Sequence, residues 1–377
     1  MKKNVAFLIY SLKSGGAERV VSTLSNGLCI DYNITVITII DTKPFYELNK
    51  NVNVIPCVNT TNIKKSFINS LKSNYGLYKK IKDICKDESI DILIGFMTSS
   101  NVLAILAARR SKIPVIISER NHPSFSGLSK FWKIMRRITY PKANILVVQT
   151  KPILDFFSSY VKKENLKILA NPIAKDHVDA KNTVIVEKEN IILNVGSLNY
   201  QKGQDIAIKA FARINPVDWQ LHLVGEGPKK EEYKNLIKEL RMENKILLIG
   251  RDNKISKYYL RSRVFIFPSR FEGFPNALTE AMYMGLPCIS SDCPTGPSEL
   301  IEEGQNGFLS PIDNVKMFAD KLNILINDSS LRQELGINAS KSVTQYEEKN
   351  ITKIWKELIS KTIQKNNRII LKGMPQN

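Results

Sequence analysis

Short apolar runs alternate with helix-periodic segments along the whole chain. "NVAFLIYSL" is followed by the amphipathic "GGAERVVSTLSNGLC" and then by the apolar "NITVITII". "DILIGFM", "NVLAILAARRSK" and "PVIISE" repeat the alternation. The second half begins it again, through "NIILNVGSL", "QDIAIKAFARI", "WQLHLVGEG", "KKEEYKNLIKELRM", "KILLIG", "RVFIFPS", "ALTEAMYMG" and "LPCISSD". A strand with one wet face alternates apolar and polar residues. These runs are continuously apolar, so they predict strands buried on both faces, in parallel sheets covered by helices. Two such series predict an α/β protein of two doubly wound domains. The seam is placed in "LKILANPIAKDHVDAKNT", where an apolar run ends in Asn171-Pro172 and a polar stretch follows. That gives domains over 1–172 and 173–350. The last helix, "NITKIWKELISKTIQK", carries Ile351, Ile354, Trp355, Leu358, Ile359 and Ile363 at helical spacing.

Composition narrows the class. A chain of 377 residues exceeds one ordinary core. With 43% hydrophobic and 24% charged residues it reads as globular. No apolar stretch approaches the roughly 18 residues that a membrane-crossing helix needs. "MKKNVAFLIY" lacks a small-residue cleavage site after its apolar run and is expected to be a buried first strand rather than a signal peptide. Cys29, Cys57, Cys85, Cys288 and Cys293 are odd in number and scattered, which suits free thiols in a reducing cytosol.

The formal charge of +19 is uneven. Residues 1–172 hold 26 Lys and Arg against 11 Asp and Glu, and residues 173–377 hold 29 against 25. A surface so basic attracts nucleic acid, anionic lipid or a phosphate-bearing substrate. Lysine-rich solvated faces are the plain alternative. No recognition helix, zinc finger or ribonucleoprotein-type pattern supports nucleic acid.

In open α/β sheets ligands bind beyond the carboxyl ends of the strands, so candidate residues should follow a strand or open a helix. Gly15 and Gly16 do so in "SLKSGGAERV", where a phosphate or sugar can approach the backbone and the helix start favours negative charge. A tight structural turn would use the same pair. Lys202, in "GSLNYQKGQD", stands where it can neutralise a diphosphate, or is a surface lysine. In "SRFEGFPNALTEAMYMG", Glu272 ends a strand loop. Phe274, Pro275, Asn276 and Ala277 open the next helix, whose first amides are expected to be free, and Glu280 lies further along it. Two carboxylates separated by part of a helix can hold the sugar and ribose hydroxyls of a sugar nucleotide, with its diphosphate at the helix start between them. A capping glutamate and a solvated one would need no ligand.

The stretch "SRFEGFPNALTEAMYMGLPCISSDCPTGPSELIEEGQNGFL" resembles the E-x7-E signature of retaining glycosyltransferases of family GT4. The resemblance runs through "SGGAERVV", "GSLNYQKG", "LVGEGP" and the final helix, while "ISERN" and "TGPSE" are similar to family members that build polymers and lipid-linked glycans. It implies the GT-B fold, two Rossmann-like domains facing across a cleft, with a crossover helix at 351–377 returning to the first. It implies that Glu280 holds the ribose, that Glu272 meets donor-sugar hydroxyls, and that Lys202 and the backbone near Gly16 bind the diphosphate. Thr295 and Gly296 are expected to shape the donor pocket, and Arg251 is counted among the substrate-binding candidates. Ser197 stands where the family usually has a diphosphate-binding arginine, so Lys202 or another cation takes that load. Glu119 stands where many relatives place an active-site histidine. It is expected beside the acceptor or the reacting carbon, with His122 nearby.

No Asp-x-Asp pair occurs, so the resemblance is read as a metal-free enzyme that needs no cofactor. The expected activity is transfer of a hexose or N-acetylhexosamine from a UDP-sugar to a lipid-linked, polyprenyl-diphosphate glycan at the cytosolic membrane face. A GDP-mannose-dependent mannosyltransferase is the alternative. Two stretches are suited to an anionic membrane surface. "LSKFWKIMRRITYPK" mixes Lys130, Lys133, Arg136, Arg137 and Lys142 with Phe131, Trp132, Ile134 and Met135, and "NIKKSFINSLKSNYGLYKKIK" sets lysines beside Phe67, Leu71 and Tyr75. Either would equally serve as a core-facing stripe with a solvated basic face.

Overall fold

Strands that are apolar on both faces need cover on both faces, and β11 (Val264–Phe267) has it. Val264 and Ile266 enter one buried cluster with Phe211, Leu221 and Leu322, while Phe265 and Phe267 enter another with Leu278 and Met282. β8 (Ile191–Val195) divides in the same way, Ile192 to the first cluster and Leu193 and Val195 to the second. Each buried side chain of this size contributes about 1.5–3 kcal/mol relative to exposure. Exposing either face of the sheet would forfeit several such terms.

The computed structural model describes residues 1–59, 71–124, 127–184 and 186–372. They form two parallel sheets. The first joins β1 (Asn4–Ile9), β2 (Asn33–Ile40), β3 (Val52–Val58), β4 (Ile92–Phe96), β5 (Val115–Ser118), β6 (Ile145–Val148) and β7 (Leu166–Ile168) in the order β3-β2-β1-β4-β5-β6-β7. The second joins β8, β9 (Gln220–Val224), β10 (Ile246–Gly250), β11, β12 (Cys288–Ser291) and β13 (Phe308–Ser310) in the order β10-β9-β8-β11-β12-β13. Both sheets are doubly wound, as the alternation of apolar runs and amphipathic helices predicts. The direction of winding reverses between β1 and β4 in one and between β8 and β11 in the other. Such switch points open a crevice at the strand ends.

The chain divides into two units, Met1–Pro172 with Glu348–Asn377, and Ile173–Glu347. The helix Glu348–Lys372 belongs to the first because its apolar stripe has partners there. Trp355 is fully buried and stacks on Phe96 with ring centroids 6.2 Å apart. Tyr32 shares a 2.9 Å hydroxyl contact with Ser360, and Lys356 pairs with Asp31. All five cysteines are free. No helix among the described residues is long and apolar enough to cross a membrane.

Candidate functional site

In the second unit, the loops after β8 and β11 meet at the switch point. The turn after β8 runs through a 3-10 helix, Tyr200–Lys202, whose start is capped by Asn199 accepting from the Lys202 amide at 3.1 Å. Gly203 then takes φ +63°, and a Cβ there would stand 2.0 Å from the Pro268 carbonyl oxygen. A side chain at this position would drive the β8 loop off the end of β11. The two loops are further joined by the Arg270 amide to the Gln201 carbonyl at 2.8 Å and by Gln201 Nε2 to the Phe271 carbonyl at 2.9 Å. Arg270 forks onto Asp205 at 2.7 and 3.0 Å and reaches Asp313 at 2.8 Å.

This bracing brings Lys202 and Glu272 together, with Nζ 2.6 Å from Oε1. The lysine stem runs along Gly196, and its ammonium lies 5.3 Å from the Phe267 ring centroid. Glu272 is 5% exposed. A partly open cation beside a shielded carboxylate offers one group for a phosphate and one for hydroxyls. Thr295 is buried and donates its hydroxyl to the Glu272 carbonyl. Gly296 has φ +99°, and a Cβ on it would come within 2.5 Å of Pro275 Cδ. The β12 loop thus packs on the turn that opens the helix Asn276–Tyr283. Pro275 is the residue before that helix rather than part of its first turn, and the Asn276 amide is taken by the Phe274 carbonyl at 3.0 Å. The helix start therefore presents fewer unpaired amides than the sequence predicts.

Glu280 lies one turn further on and is 4% exposed. Two residues that sequence reasoning missed hold it. Tyr259 donates its hydroxyl to Glu280 Oε2 at 3.1 Å, and His177 Nε2 lies 3.5 Å from the same oxygen. The His177 and Tyr259 rings meet edge-on, with centroids 5.5 Å apart, and His177 is fully buried. A buried glutamate so held is not the solvated helix residue that the ligand-free alternative needs. Ser197 is exposed, and its carbonyl accepts from Gln204 Nε2 at 3.1 Å. Arg251 is exposed at the end of β10, two strands from β8 in the sheet. Among the described residues no three His, Cys, Asp or Glu side chains form a metal-holding group.

The first unit holds the other candidates. Gly15 precedes the helix Gly16–Leu28 in an extended conformation that any residue adopts. The space above it is filled by the Glu18 carboxylate, which a Cβ on Gly15 would meet at 2.1 Å. Burial raises the Glu18 carboxyl above its usual value. An anion at this helix start would have to displace Glu18.

Glu119, expected beside the reacting carbon, is only 1% exposed. Its Oε2 accepts from the Tyr140 hydroxyl at 2.6 Å and from Thr98 Oγ1 at 2.8 Å. Asn101 Nδ2 reaches the Tyr140 oxygen at 2.9 Å and the Ser118 carbonyl at 3.0 Å. This network fastens the end of β5 to the helix Thr98–Ser111 and to Tyr140. Burial pushes the Glu119 carboxyl above the usual carboxylate range, while the hydroxyl donors and Arg136 oppose the shift. Its neighbour Arg120 donates to Asn171 instead and lies 4.7 Å from the Phe96 ring centroid. Burial lowers that guanidinium to about 9, with Glu119 opposing. Glu119 is thus enclosed by Tyr140 and Thr98 at the end of β5. His122 is half-buried and its Nδ1 accepts from the Ser124 amide at 3.3 Å.

The basic helix Lys130–Thr139 has a buried side and an exposed side. Trp132 and Arg136 are buried, the latter with its guanidinium 5.4 and 5.6 Å from the Phe156 and Phe157 ring centroids. Lys130, Lys133, Ile134, Arg137 and Ile138 form the exposed side. In the second basic stretch Tyr75 is exposed, whereas Phe67 and the Leu71 side chain lie outside the described residues.

Residues 14–177 match the family described as Glycosyltransferase Family 4, and residues 176–342 match Glycosyl transferases group 1. The chain is 31% identical over 341 residues, 88% of its length and 92% of the relative's, to a Campylobacter jejuni N-acetylgalactosamine-N,N'-diacetylbacillosaminyl-diphospho-undecaprenol 4-α-N-acetylgalactosaminyltransferase. A second Campylobacter jejuni protein, an α-1,4-N-acetyl-D-galactosaminyltransferase acting on a diphospho-undecaprenol trisaccharide, is 28% identical over 94% of this chain and 98% of its own. Among solved structures, Anabaena HepE in complex with UDP superposes with a TM-score of 0.76 at 20% identity, covering 96% of this chain and 100% of that one.

Proposed function

The chain belongs to glycosyltransferase family 4, and we propose that it moves a hexose or N-acetylhexosamine from a UDP-sugar to a polyprenyl-diphosphate-linked glycan, with retention at the anomeric carbon and without a metal. The observation that carries this reading is the Lys202–Glu272 pair at the β8/β11 switch point, with Glu280 held behind it on the next helix. Two relatives named for undecaprenyl-diphosphate-linked acceptors support the acceptor class, and a UDP-bound structure of the same fold supports the nucleotide.

The chemistry follows from the pair. When a sugar nucleotide binds, its diphosphate replaces the Glu272 carboxylate as the neighbour of the Lys202 ammonium. Glu272 is then available to accept hydrogen bonds from donor-sugar hydroxyls. As the anomeric C–O bond breaks, negative charge grows on the departing diphosphate, and a lysine fixed 2.6 Å from its present partner needs little reorganisation to stabilise it. Glu280, oriented by Tyr259 and His177, accepts from the ribose hydroxyls. Thr295 and Gly296 hold the β12 loop against this site. Glu119 acts at one remove in this reading, as a positioning residue that fixes the end of β5.

The exposed side of the helix Lys130–Thr139 would meet anionic headgroups at the inner membrane face, with Ile134 and Ile138 entering the interface. The donor is tested by calorimetric titration with UDP, GDP and ADP. Preferential UDP binding is expected, and a preference for GDP would turn the reading to a mannosyltransferase. Product analysis by NMR with an undecaprenyl-diphosphate glycan then reads acceptor use and anomeric configuration, and an inverted linkage would refute retention.

A further inference from the structure

The second unit holds another cationic centre. A cavity of about 640 Å³ is lined by five cations, Lys181, Lys188, Arg263, Arg332 and Lys341, and by no carboxylate. Lys188, Arg263 and the lining Pro287 precede β8, β11 and β12, so the cavity opens at the amino ends of the parallel strands. Lys202 and Glu272 follow the carboxyl ends of β8 and β11. The two places are separated by a strand length, about 15 Å at roughly 3.3 Å per residue.

General basicity does not account for the cluster. Ile173–Glu347 contains 22 Lys and Arg against 23 Asp and Glu, so the net charge of the chain lies in the other unit. Five cations with no carboxylate in the cavity lining repel one another, and the acids that act on them from outside it are Glu347 on Lys181 and Asp328 on Arg332. Burial and the Arg263 charge both hold the Lys188 ammonium below its usual value, and the same two causes lower Arg332 against the opposing pull of Asp328. Structural duties explain only two of the five. Lys181 donates to the Tyr283 carbonyl at 2.7 Å and to Ser340, and Arg332 Nη1 donates to the Leu325 and Ile326 carbonyls at 2.6 and 2.9 Å. Arg263 spends one nitrogen on the Lys188 carbonyl at 2.9 Å, while its buried Nε has no hydrogen-bond partner among the described residues. The exposed Ser330, also lining the cavity, adds a hydroxyl at the start of the helix Ser329–Ser342.

We propose that this cavity binds a phosphoanion, a diphosphate or a group of similar charge, at a site separate from the donor site. Its volume is in the range of small-ligand pockets. Lys188, Arg263 and Lys341 would supply the charge, and the anion would relieve their mutual repulsion. A soluble phosphate compound and an anionic lipid headgroup present the same chemistry.

The experiment is a calorimetric titration of the full-length protein with inorganic pyrophosphate, paired with sedimentation on phosphatidylglycerol and phosphatidylcholine vesicles. The proteins are the wild type, Lys188→Gln/Lys341→Gln, the charge-keeping Lys188→Arg/Lys341→Arg, and Lys202→Ala. Pyrophosphate is expected to bind the wild type, the arginine pair and the second site of Lys202→Ala alike. The glutamine pair, which keeps Lys202 and the donor site, is expected to bind about 100-fold more weakly at this second site, roughly tenfold for each charged contact removed. If phosphatidylglycerol vesicles displace pyrophosphate through the same residues, the source is a headgroup. If pyrophosphate alone binds, the source is soluble. Equal binding by the wild type and the glutamine pair overturns the site, as does loss of all binding in Lys202→Ala. Folding of each variant is checked by its melting curve.

Discussion

Glu280 is a carboxylate whose position depends on two neighbours distant in sequence. Tyr259 lies 21 residues before it, at 3.1 Å, and His177 stands 3.5 Å from the same oxygen. Glu280→Ala is expected to weaken UDP binding by about 1.5–3 kcal/mol, as loss of charged hydrogen bonds does. Tyr259→Phe keeps the buried ring and removes only the donor. It should cost part of that amount, and it should narrow the preference for UDP over its 2′,3′-dideoxy analogue. Unchanged discrimination in both variants would refute the ribose role, whereas a change in Glu280→Ala alone would clear Tyr259 of a positioning role. Lys202→Ala is expected to lower kcat by about 100-fold or more while weakening donor binding much less, because the charge it meets grows in the transition state. Equal losses in binding and turnover would make Lys202 a binding residue only. Glu119 gives a prediction in pH. Its carboxyl is raised by burial, so the folded chain holds this proton more tightly than the unfolded chain does. The stability from that proton is present below the ordinary value of 4.5 and is lost as pH rises through the raised one. Glu119→Gln keeps an acceptor for Tyr140 and Thr98 without the charge. The variant should therefore gain on the wild type as pH rises above 4.5 in urea melts; a difference that stays constant with pH would contradict the assignment.

Among the elements, the helix Lys130–Thr139 shows why a basic amphipathic pattern is ambiguous. Its periodicity is real, but burial is decided by what packs on it. Arg136 lies over Phe156 and Phe157 and cannot serve a membrane, whereas Lys130, Lys133 and Arg137 remain exposed beside Ile134 and Ile138. Replacing Lys130, Lys133 and Arg137 by glutamine is expected to weaken sedimentation with phosphatidylglycerol vesicles, by about 1 kcal/mol per charge at low salt and less at high salt. Undiminished binding would leave this helix without a membrane role. The loop after β11 carries a related lesson. A glutamate and a lysine from loops 70 residues apart form one pair because Gly203 and Arg270 pull those loops together.

At the scale of the whole molecule, charge is partitioned by unit. Met1–Pro172 with Glu348–Asn377 holds 33 Lys and Arg against 13 Asp and Glu, and the other unit is near neutral. The last helix adds to this imbalance because its apolar stripe, led by Trp355, is buried in the first unit. A metal-free transfer is expected to persist in excess EDTA. Activity lost on chelation and restored by Mg²⁺ or Mn²⁺ would overturn that part of the proposal.

The sequence by itself determined the fold class. Runs such as "VFIF" and "IILNV" are apolar at every or nearly every position, and only a strand covered on both faces needs that. It also displayed the chemistry carried by local spacing, with Glu272 and Glu280 flanking a helix start in a stretch that resembles a family signature. What it did not display was burial and long-range pairing. Glu119 reads as a strand-end carboxylate like any other until Tyr140 and Thr98 are seen closing over it. Tyr259 and His177 carry no motif, and five cations drawn from Lys181 to Lys341 share no sequence pattern that would gather them. Backbone pattern is a local property, set by which faces of an element must leave water. The surroundings of a single charged side chain are set by whichever distant segments pack over it, and only the tertiary structure decides those.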